Sequence, residues 1–217
     1  MEGGVEGRKA YGEPGMSDIP SAEDLDVIAH EADVRRATSS QWIQTFTGKK
    51  FYPFDPRPED VRIEDIAHAL SLLCRFTGHV KTFYSVADHS WHVSHRVPQE
   101  HALWGLLHDA SEAYLNDISR PVKRHESMLA YAAAETRVMQ CVAERFGLPP
   151  EPECVREVDR TMLLTERRDL LAPMEWPDAH RTDWDLAHAG PLYGTILPMT
   201  SAQAELAFLS RFYALTR

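Results

Sequence analysis

The sequence predicts an all-α protein, an irregular helical bundle with one small β-hairpin near its start. Three observations carry this expectation. Apolar residues recur at three- and four-residue spacing in successive segments between Glu59 and Leu215, the period of a helix with one buried face. Strand-like alternation is confined to Gln41–Phe54. Gly78, Pro98, Gly147, Pro149 and Pro150 stand where the helical patterns break, which leaves short connections between packed helices.

Taken in order, residues 1–37 are rich in Gly, Glu, Asp and Ala and poor in aromatics. They read as a flexible N-terminal segment with a short helix around Glu23–Arg35. Met16 offers an alternative start. Residues 38–217 form one domain. Gln41–Phe54 places Trp42, Phe46, Phe51, Tyr52 and Phe54 around Thr47-Gly48-Lys49-Lys50, a hairpin turning at Gly48. Pro53, Pro56 and Pro58 make an extended connection. Glu59–Cys74 is an amphipathic helix with Ile63, Ile66, Ala67, Leu70, Leu73 and Cys74 in its stripe, ended by Gly78. Ser85–Val97 is the next, with Val86, His89, Ser90, Val93 and Val97 on one face; Ser85 and Asp88 resemble a capping box.

The helix from about Glu100 to Leu115 is the most apolar, through Leu103, Leu106, Leu107, Ala110 and Tyr114. On one continuous helix His108 and Glu112 lie a turn apart on the same face, with Asp109 beside them. Asn116–Pro121 is a loop. Glu126–Phe146 is a long helix with Met128, Ala132, Glu135, Met139, Val142 and Phe146 in register. Cys154–Leu171 follows, its core side lined by Val155, Val158, Met162 and Leu163 with Asp159 among them. Pro173–Pro198 reads as an irregular surface segment, and Ser201–Leu215 as a final helix packed through Leu206, Leu209 and Phe212.

Composition narrows the functional classes. A chain of 217 residues with 43% hydrophobic and 26% charged residues can bury a sizeable core. No apolar run is long enough to cross a bilayer, and residues 1–37 lack the apolar core and cleavage site of a secretory signal. The three cysteines, Cys74, Cys141 and Cys154, are isolated; they suit a reducing cytoplasm and exclude a C-x-x-C zinc ribbon. A net charge of −10 argues against a nucleic-acid partner but allows a small anionic substrate held by local positive charge.

Polar residues on apolar faces point to chemistry. His89 sits between Val86 and Val93, His108-Asp109 among leucines, and Asp159 between Val158 and Met162. Alone, each is an ordinary buried polar residue. On helices able to converge, they supply two imidazoles and two carboxylates. That set suits a borderline-to-hard divalent ion, such as Co, Mn, Zn, Fe, Ni or Mg.

The order His89 … His108-Asp109 … Asp159 resembles the H…HD…D signature of HD-domain metal-dependent phosphohydrolases. Ser85-Val86-Ala87-Asp88-His89-Ser90 resembles the first-histidine segment of the bacterial 5′-deoxynucleotidases. Leu107-His108-Asp109-Ala110-Ser111-Glu112-Ala113, and Asp117-Ile118 through Pro121-Val122-Lys123, resemble the segment that follows it. From Ile43 to Tyr213 the chain is similar to prophage-type members of that group, supported by Thr45-Phe46-Thr47-Gly48-Lys49 and Thr165-Glu166-Arg167-Arg168-Asp169-Leu170. Phage dATP triphosphohydrolases belong to the same neighbourhood.

The resemblance implies an HD-type bundle in which His89, His108, Asp109 and Asp159 bind a metal that lowers the pKa of a water and neutralises phosphoryl charge. Glu112 resembles the acid–base residue, and Asp117 the acid that contacts the sugar or assists proton transfer. Arg75 resembles the phosphate-binding arginine, and His79 could reach phosphate. Phe76 stands where the bacterial deoxynucleotidases have Trp; it keeps an apolar wall but changes its shape. Lys81, Lys123 and Arg124 are candidate phosphate contacts, with solvated loop charges the plainer reading; His92 and His95 read as partly exposed bystanders, and Glu166 as part of an ion-pair network with Arg167-Arg168.

The function expected is 5′-nucleotidase activity on deoxynucleoside monophosphates. The alternatives are dNTP triphosphohydrolysis, which needs more Lys and Arg than this acidic chain offers, and a non-catalytic nucleotide-binding or interaction protein on the same scaffold. The segment Ala110-Ser111-Glu112-Ala113 departs from the Glu-Asp pair usual in guanosine-tetraphosphate hydrolases. A homodimer is implied by the same resemblance, and the isolated cysteines lead to the expectation of a cytoplasmic location.

Overall fold

Helices dominate residues 22–173 and 190–217, the residues described by the computed structural model of the chain. The chain divides into two compact units, residues 1–40 and 41–217. The first contains α1 (Ala22–Thr38), the helix expected around Glu23–Arg35. Arg35 and Arg36 occupy its last turn, where positive charge complements the carbonyl end.

The second unit begins with the hairpin. Strands β1 (Ile43–Gln44) and β2 (Lys50–Phe51) pair antiparallel, with Ile43 opposite Phe51. Gly48 takes φ +77° in the turn, a conformation free of Cβ strain only for glycine. The Thr47 backbone N–H and hydroxyl donate to Asp65 at 2.7 and 3.0 Å, which ties the turn to the next helix. Trp42, Phe46 and Phe54 stay exposed, whereas Phe51 is fully buried. Its ring stacks on Tyr114 with centroids 3.8 Å apart.

Helix α2 (Ile63–Leu72) starts later than the expected Glu59, because Pro58–Asp60 forms a separate 3-10 turn and Arg62 is extended at the N-cap. It also ends before Gly78. Leu73 is already extended, and Cys74 pairs with Ser85 in an antiparallel bridge. Gly78 instead closes a turn over Arg75–Gly78, in which Phe76 and Thr77 hold φ of 55° and 53°. Left-handed backbone costs such residues roughly 1–2 kcal/mol each.

In α3 (Val86–Ser94) Ser85 caps the N-terminus by accepting from the Asp88 N–H at 3.1 Å. Only half of a capping box forms, since the Asp88 carboxylate accepts from Met199 N–H at 2.7 Å. The helix stops at Ser94, short of Val97.

The expected single helix from Glu100 to Leu115 is broken. A 3-10 turn at Gln99–His101 leads into α4 (Ala102–Leu107), and α5 (Glu112–Leu115) follows. Between them Ala110 N–H donates to Leu107 C=O and Glu112 N–H to Asp109 C=O, at 2.9 and 3.0 Å. These three-residue bonds wind the chain to about three residues per turn. His108 and Glu112 therefore do not share one helical face.

Beyond α6 (Arg120–Lys123) lie α7 (Leu129–Phe146), capped by Gly147 at φ +65°, α8 (Glu153–Leu170) and α9 (Ser201–Leu215). The buried residues of α7 are Ala134, Val138 and Val142; of the expected stripe Val142 is buried and Met139 and Phe146 pack against the core, while Ala134 and Val138 were not anticipated. In α8 Val155 and Met162 are buried as expected. Thr200 and Gln203 complete a capping box on α9. Its core face is Ala204, Phe208 and Phe212; Leu206 is 67% exposed. Of the segment 173–198, residues 174–189 lie outside the described residues; residues 190–198 form no helix.

One core gathers Ile66, Leu70, Val86, Leu106, Leu107, Val138 and Phe208, and a second Tyr84, Val93, Trp104, Val155 and Met162. Helix α3 contributes Val86 to one and Val93 to the other, so His89 lies buried between them. Gly105 lets α4 approach α3. A Cβ there would meet Ser94 Cα and Val97 Cγ2 at 3.0 Å. We expect Gly105→Ala to cost about 1–3 kcal/mol of overpacking strain, read as a lowered midpoint in urea denaturation. An unchanged midpoint would show that the helices separate freely.

Candidate metal site

The site starts from two imidazoles whose outer nitrogens are already committed. His108 follows α4 directly, and its Nδ1 lies 2.9 Å from Gly105 C=O. A carbonyl can only accept, so Nδ1 carries the proton. His89 Nδ1 lies 2.5 Å from Glu166 Oε1, again donating to an acceptor. The two Nε2 atoms then face one another at 3.2 Å. In neutral imidazoles both carry lone pairs, and only a proton or a cation between them makes this approach favourable.

Asp159 completes the arrangement, its Oδ1 3.2 Å from His89 Nε2. Ligand atoms of His89, His108 and Asp159 all lie within 4.8 Å of one another. Metal–nitrogen bonds of about 2.0–2.1 Å place two nitrogens roughly 3.0–3.4 Å apart at tetrahedral or octahedral angles. These residues could hold a divalent metal ion. Asp109 lies beside this trio. Its Oδ2 is 3.3 Å from His108 Nε2 and 3.8 Å from His89 Nε2, so the fourth expected ligand is at hand. His89 is fully buried, whereas the Asp109 and Asp159 side chains are 22% and 24% exposed; the cluster opens on its carboxylate side.

Glu166 is the residue sequence reasoning placed wrongly. It is fully buried, and Arg168 pairs with Asp169 instead, at 2.7 Å. Glu166 accepts from Tyr84 OH at 2.9 Å, from Arg75 Nε at 3.3 Å and Nη2 at 3.2 Å, and from His89. A carboxylate behind a ligating histidine fixes its ring and raises its basicity. The signal was present in the spacing: Glu166 follows Asp159 by about two full turns, on the same face.

Arg75 joins the two carboxylates. Its Nη1 lies 3.3 Å from Asp109 Oδ2, and its side chain is only 11% exposed. Its guanidinium carbon sits 5.6 Å from the centre of the Phe76 ring. His79 is exposed and makes no hydrogen bond or ion pair to the cluster among the described residues. Lys81 is exposed, donating to Asp169 C=O at 3.3 Å; Arg124 is exposed. Lys123 is not a solvated charge, lying 2.6 Å from Glu135 and 3.8 Å from Glu112. His92 lies between Asp88 and Arg96, and burial and Arg96 push its pKa down to about 4. His95 is exposed and bonds to Trp91 C=O. Arg120, which the sequence reading passed over, reaches Asp159 Oδ2 at 3.8 Å.

Glu112 is buried, and its Oε2 has no hydrogen-bond partner among the described residues. Burial, reinforced by the negative charges of Asp109 and Asp117, raises its pKa well above the usual carboxylate range. Asp117 is partly buried, and burial raises its pKa too. The ligands behave oppositely. Burial works against the charge on Asp159, but its bond to His89 outweighs it and holds the pKa at about 2. Burial and Arg75 oppose charging of His89, yet Glu166 and Asp159 prevail and push its pKa up to about 9. A cavity of about 620 Å³ opens beside His108 and Asp109 between Trp104, Met139, Gln140 and Leu148, within the size range of small-ligand sites.

The sign of the His89 shift would make binding of a metal ion here a proton exchange. Without metal, His89 is protonated below about pH 9; its ion pairing adds stability fully present below its unfolded pKa of about 6.5 and lost as pH rises through 9. A metal requires the neutral ring. At pH 7 we expect about one proton or more released per ion bound, and affinity rising until about pH 9. Calorimetry in buffers of different ionisation enthalpy measures this; buffer-independent heats would exclude it.

A mostly helical protein whose buried His-Asp cluster could hold a divalent ion is the class these observations define. The chain belongs to the same family as the uncharacterized protein YfdR of Escherichia coli (strain K12), to which it is 46% identical over 130 residues, 59% of this chain and 72% of YfdR. An uncharacterized protein of Rhodobacter capsulatus is 36% identical over 117 residues, 50% of this chain and 59% of that protein. No family model matches the chain. Among the described residues no helix is long and apolar enough to cross a membrane.

Proposed function

We propose that the chain is a metal-dependent phosphohydrolase of the HD type acting on nucleotides, with deoxynucleoside 5′-monophosphates as the leading substrates. The observation that carries this reading is the convergence of two Nε2 lone pairs and Asp159, with Asp109 and the buried Glu112 near it. His89, His108 and Asp159, with Asp109 adjoining, would hold the ion. When bound, a divalent ion supplies Lewis acidity at phosphoryl oxygens and acidifies water toward neutral pH.

The chain's own residues do the rest. Glu166 and Gly105 C=O hold the two rings in the tautomer that points Nε2 inward. Glu112, whose burial favours the protonated form, gives its proton to the leaving ester oxygen. Asp117 shares the negative field that keeps that proton in place. The H…HD…D order of the ligands supports the same assignment.

The test is a panel of dNMPs, NMPs and dNTPs with protein loaded in turn with Co, Mn, Zn, Fe, Ni and Mg. Release of inorganic phosphate from monophosphates is expected. Release of triphosphate would move the assignment to the triphosphohydrolases. Absence of turnover with every ion would leave a binding protein on this scaffold.

A further inference from the structure

Three cations touch the carboxylates of the site among the described residues, and they are not equivalent. Arg75 directs three of its nitrogens at protein carboxylates, Nε and Nη2 to Glu166 and Nη1 to Asp109. It is nearly buried, so a substrate that recruited its fork would have to displace the groups that orient His89 and hold Asp109. Lys123 is held at 2.6 Å by Glu135 and faces Glu112 at 3.8 Å. Arg120 differs from both. Its side chain is 44% exposed, its one ion pair is long, 3.8 Å from Nη2 to Asp159 Oδ2, and its guanidinium makes no hydrogen bond among the described residues. A pair that long and half in water holds its partner weakly.

The position of Arg120 is as informative as its freedom. The two oxygens of Asp159 divide: Oδ1 faces His89 Nε2 and Oδ2 faces Arg120. Arg120 therefore stands just outside the cluster, across one of its ligands, on the carboxylate side that opens to solvent. It begins α6, where Pro121 follows directly; the fixed φ of proline limits the backbone freedom of that turn. The short loop from Asp117 to Arg120 thus carries both an acid and an open guanidinium to the site. A planar guanidinium with its donors free matches two oxygens of a phosphate.

We infer that Arg120 is the residue that grips the phosphate of the substrate, while Arg75 is a positioning residue that acts through Glu166 and Asp109. This inference rests on the phosphohydrolase reading for the reaction, but not for the binding of phosphate itself. One open cation beside a divalent ion suits a phosphomonoester dianion, and a polyphosphate tail would find no second free guanidinium touching these carboxylates.

The experiment compares wild-type, Arg120→Ala and Arg120→Lys proteins, each loaded with the same divalent ion. Three quantities are read: KM and kcat on a dNMP, the inhibition or binding constant of inorganic phosphate, and metal affinity by chelator competition. Arg120→Ala is expected to raise KM and weaken inorganic phosphate by about tenfold or more, the loss of a charge-assisted hydrogen bond. Metal affinity should stay within about twofold, since an exposed pair of this length contributes little to Asp159. Arg120→Lys should recover part of the loss, as charge returns without the fork. Unchanged phosphate binding and KM in Arg120→Ala would overturn the inference. So would a loss of phosphate binding matched by an equal loss of metal, which would make Arg120 a support for Asp159. Should wild-type protein hydrolyse nothing yet bind inorganic phosphate in an Arg120-dependent way, the anion site stands and the hydrolase reading falls.

Discussion

The His108→Ala protein should lose its divalent ion and its turnover together. His108 Nε2 is one of three ligand atoms gathered within 4.8 Å, and among the described residues no other imidazole joins that group: His92 and His95 are engaged elsewhere. Loss of one ligand should weaken binding on the order of 10²–10³-fold, a quarter share of the about 10–16 kcal/mol that four ligands supply in structural zinc sites. The variant also relieves the close approach of two Nε2 atoms at 3.2 Å, so the metal-free fold should survive, which circular dichroism would establish. Metal content measured by atomic spectroscopy is the deciding quantity. A variant that retains the wild-type ion stoichiometry would refute the site.

Glu112→Gln should do the reverse, keeping the ion while slowing the reaction by about 10²–10⁴-fold, the usual contribution of a positioned acid. Glutamine has the shape and neutrality of the protonated acid but cannot release its proton to a leaving oxygen. Two pH effects follow from the raised pKa of Glu112. Wild-type kcat should fall at high pH as Glu112 ionises, and the variant should lack that limb. Stability responds too. An acid whose folded pKa lies above its unfolded value is best tolerated below about pH 4.3 and costs stability as pH climbs toward the folded pKa. At pH 7 the Gln variant should therefore be the more stable protein. A variant with full activity, or one that loses the ion, would remove Glu112 from the proposed chemistry.

Much of this architecture was legible because apolar periodicity reports burial directly. Phe212 on α9, Val155 and Met162 on α8, and the Ser85 cap of α3 stand where spacing placed them. The errors have specific causes. Leu206 is apolar and in register yet exposed, since one face of a helix can bury only so much. The break between α4 and α5 has no proline or glycine to announce it; the tighter winding at His108–Ser111 is set by tertiary packing. In the site, residues that face the centre of the cluster were visible as polar residues on apolar stripes. Glu166 and Gly105 were not, because one was read against its charged sequence neighbours and the other matters through an absent side chain and a carbonyl. Arg120 looked like any loop cation, and only its placement against Asp159 distinguishes it.

The bridge between Cys74 and Ser85 has a consequence for how the protein can diversify. Arg75 and Tyr84, the residues just inside that bridge, both donate to Glu166, and Arg75 N–H bonds to Tyr84 C=O at 3.0 Å. Residues 76–83 thus form a loop whose two ends are clamped beside the candidate metal site and whose middle is tied to α8, Lys81 N–H donating to Leu170 C=O at 2.9 Å. On the proposed reading, an exposed position of that loop such as His79 can change without disturbing the carboxylate that orients His89.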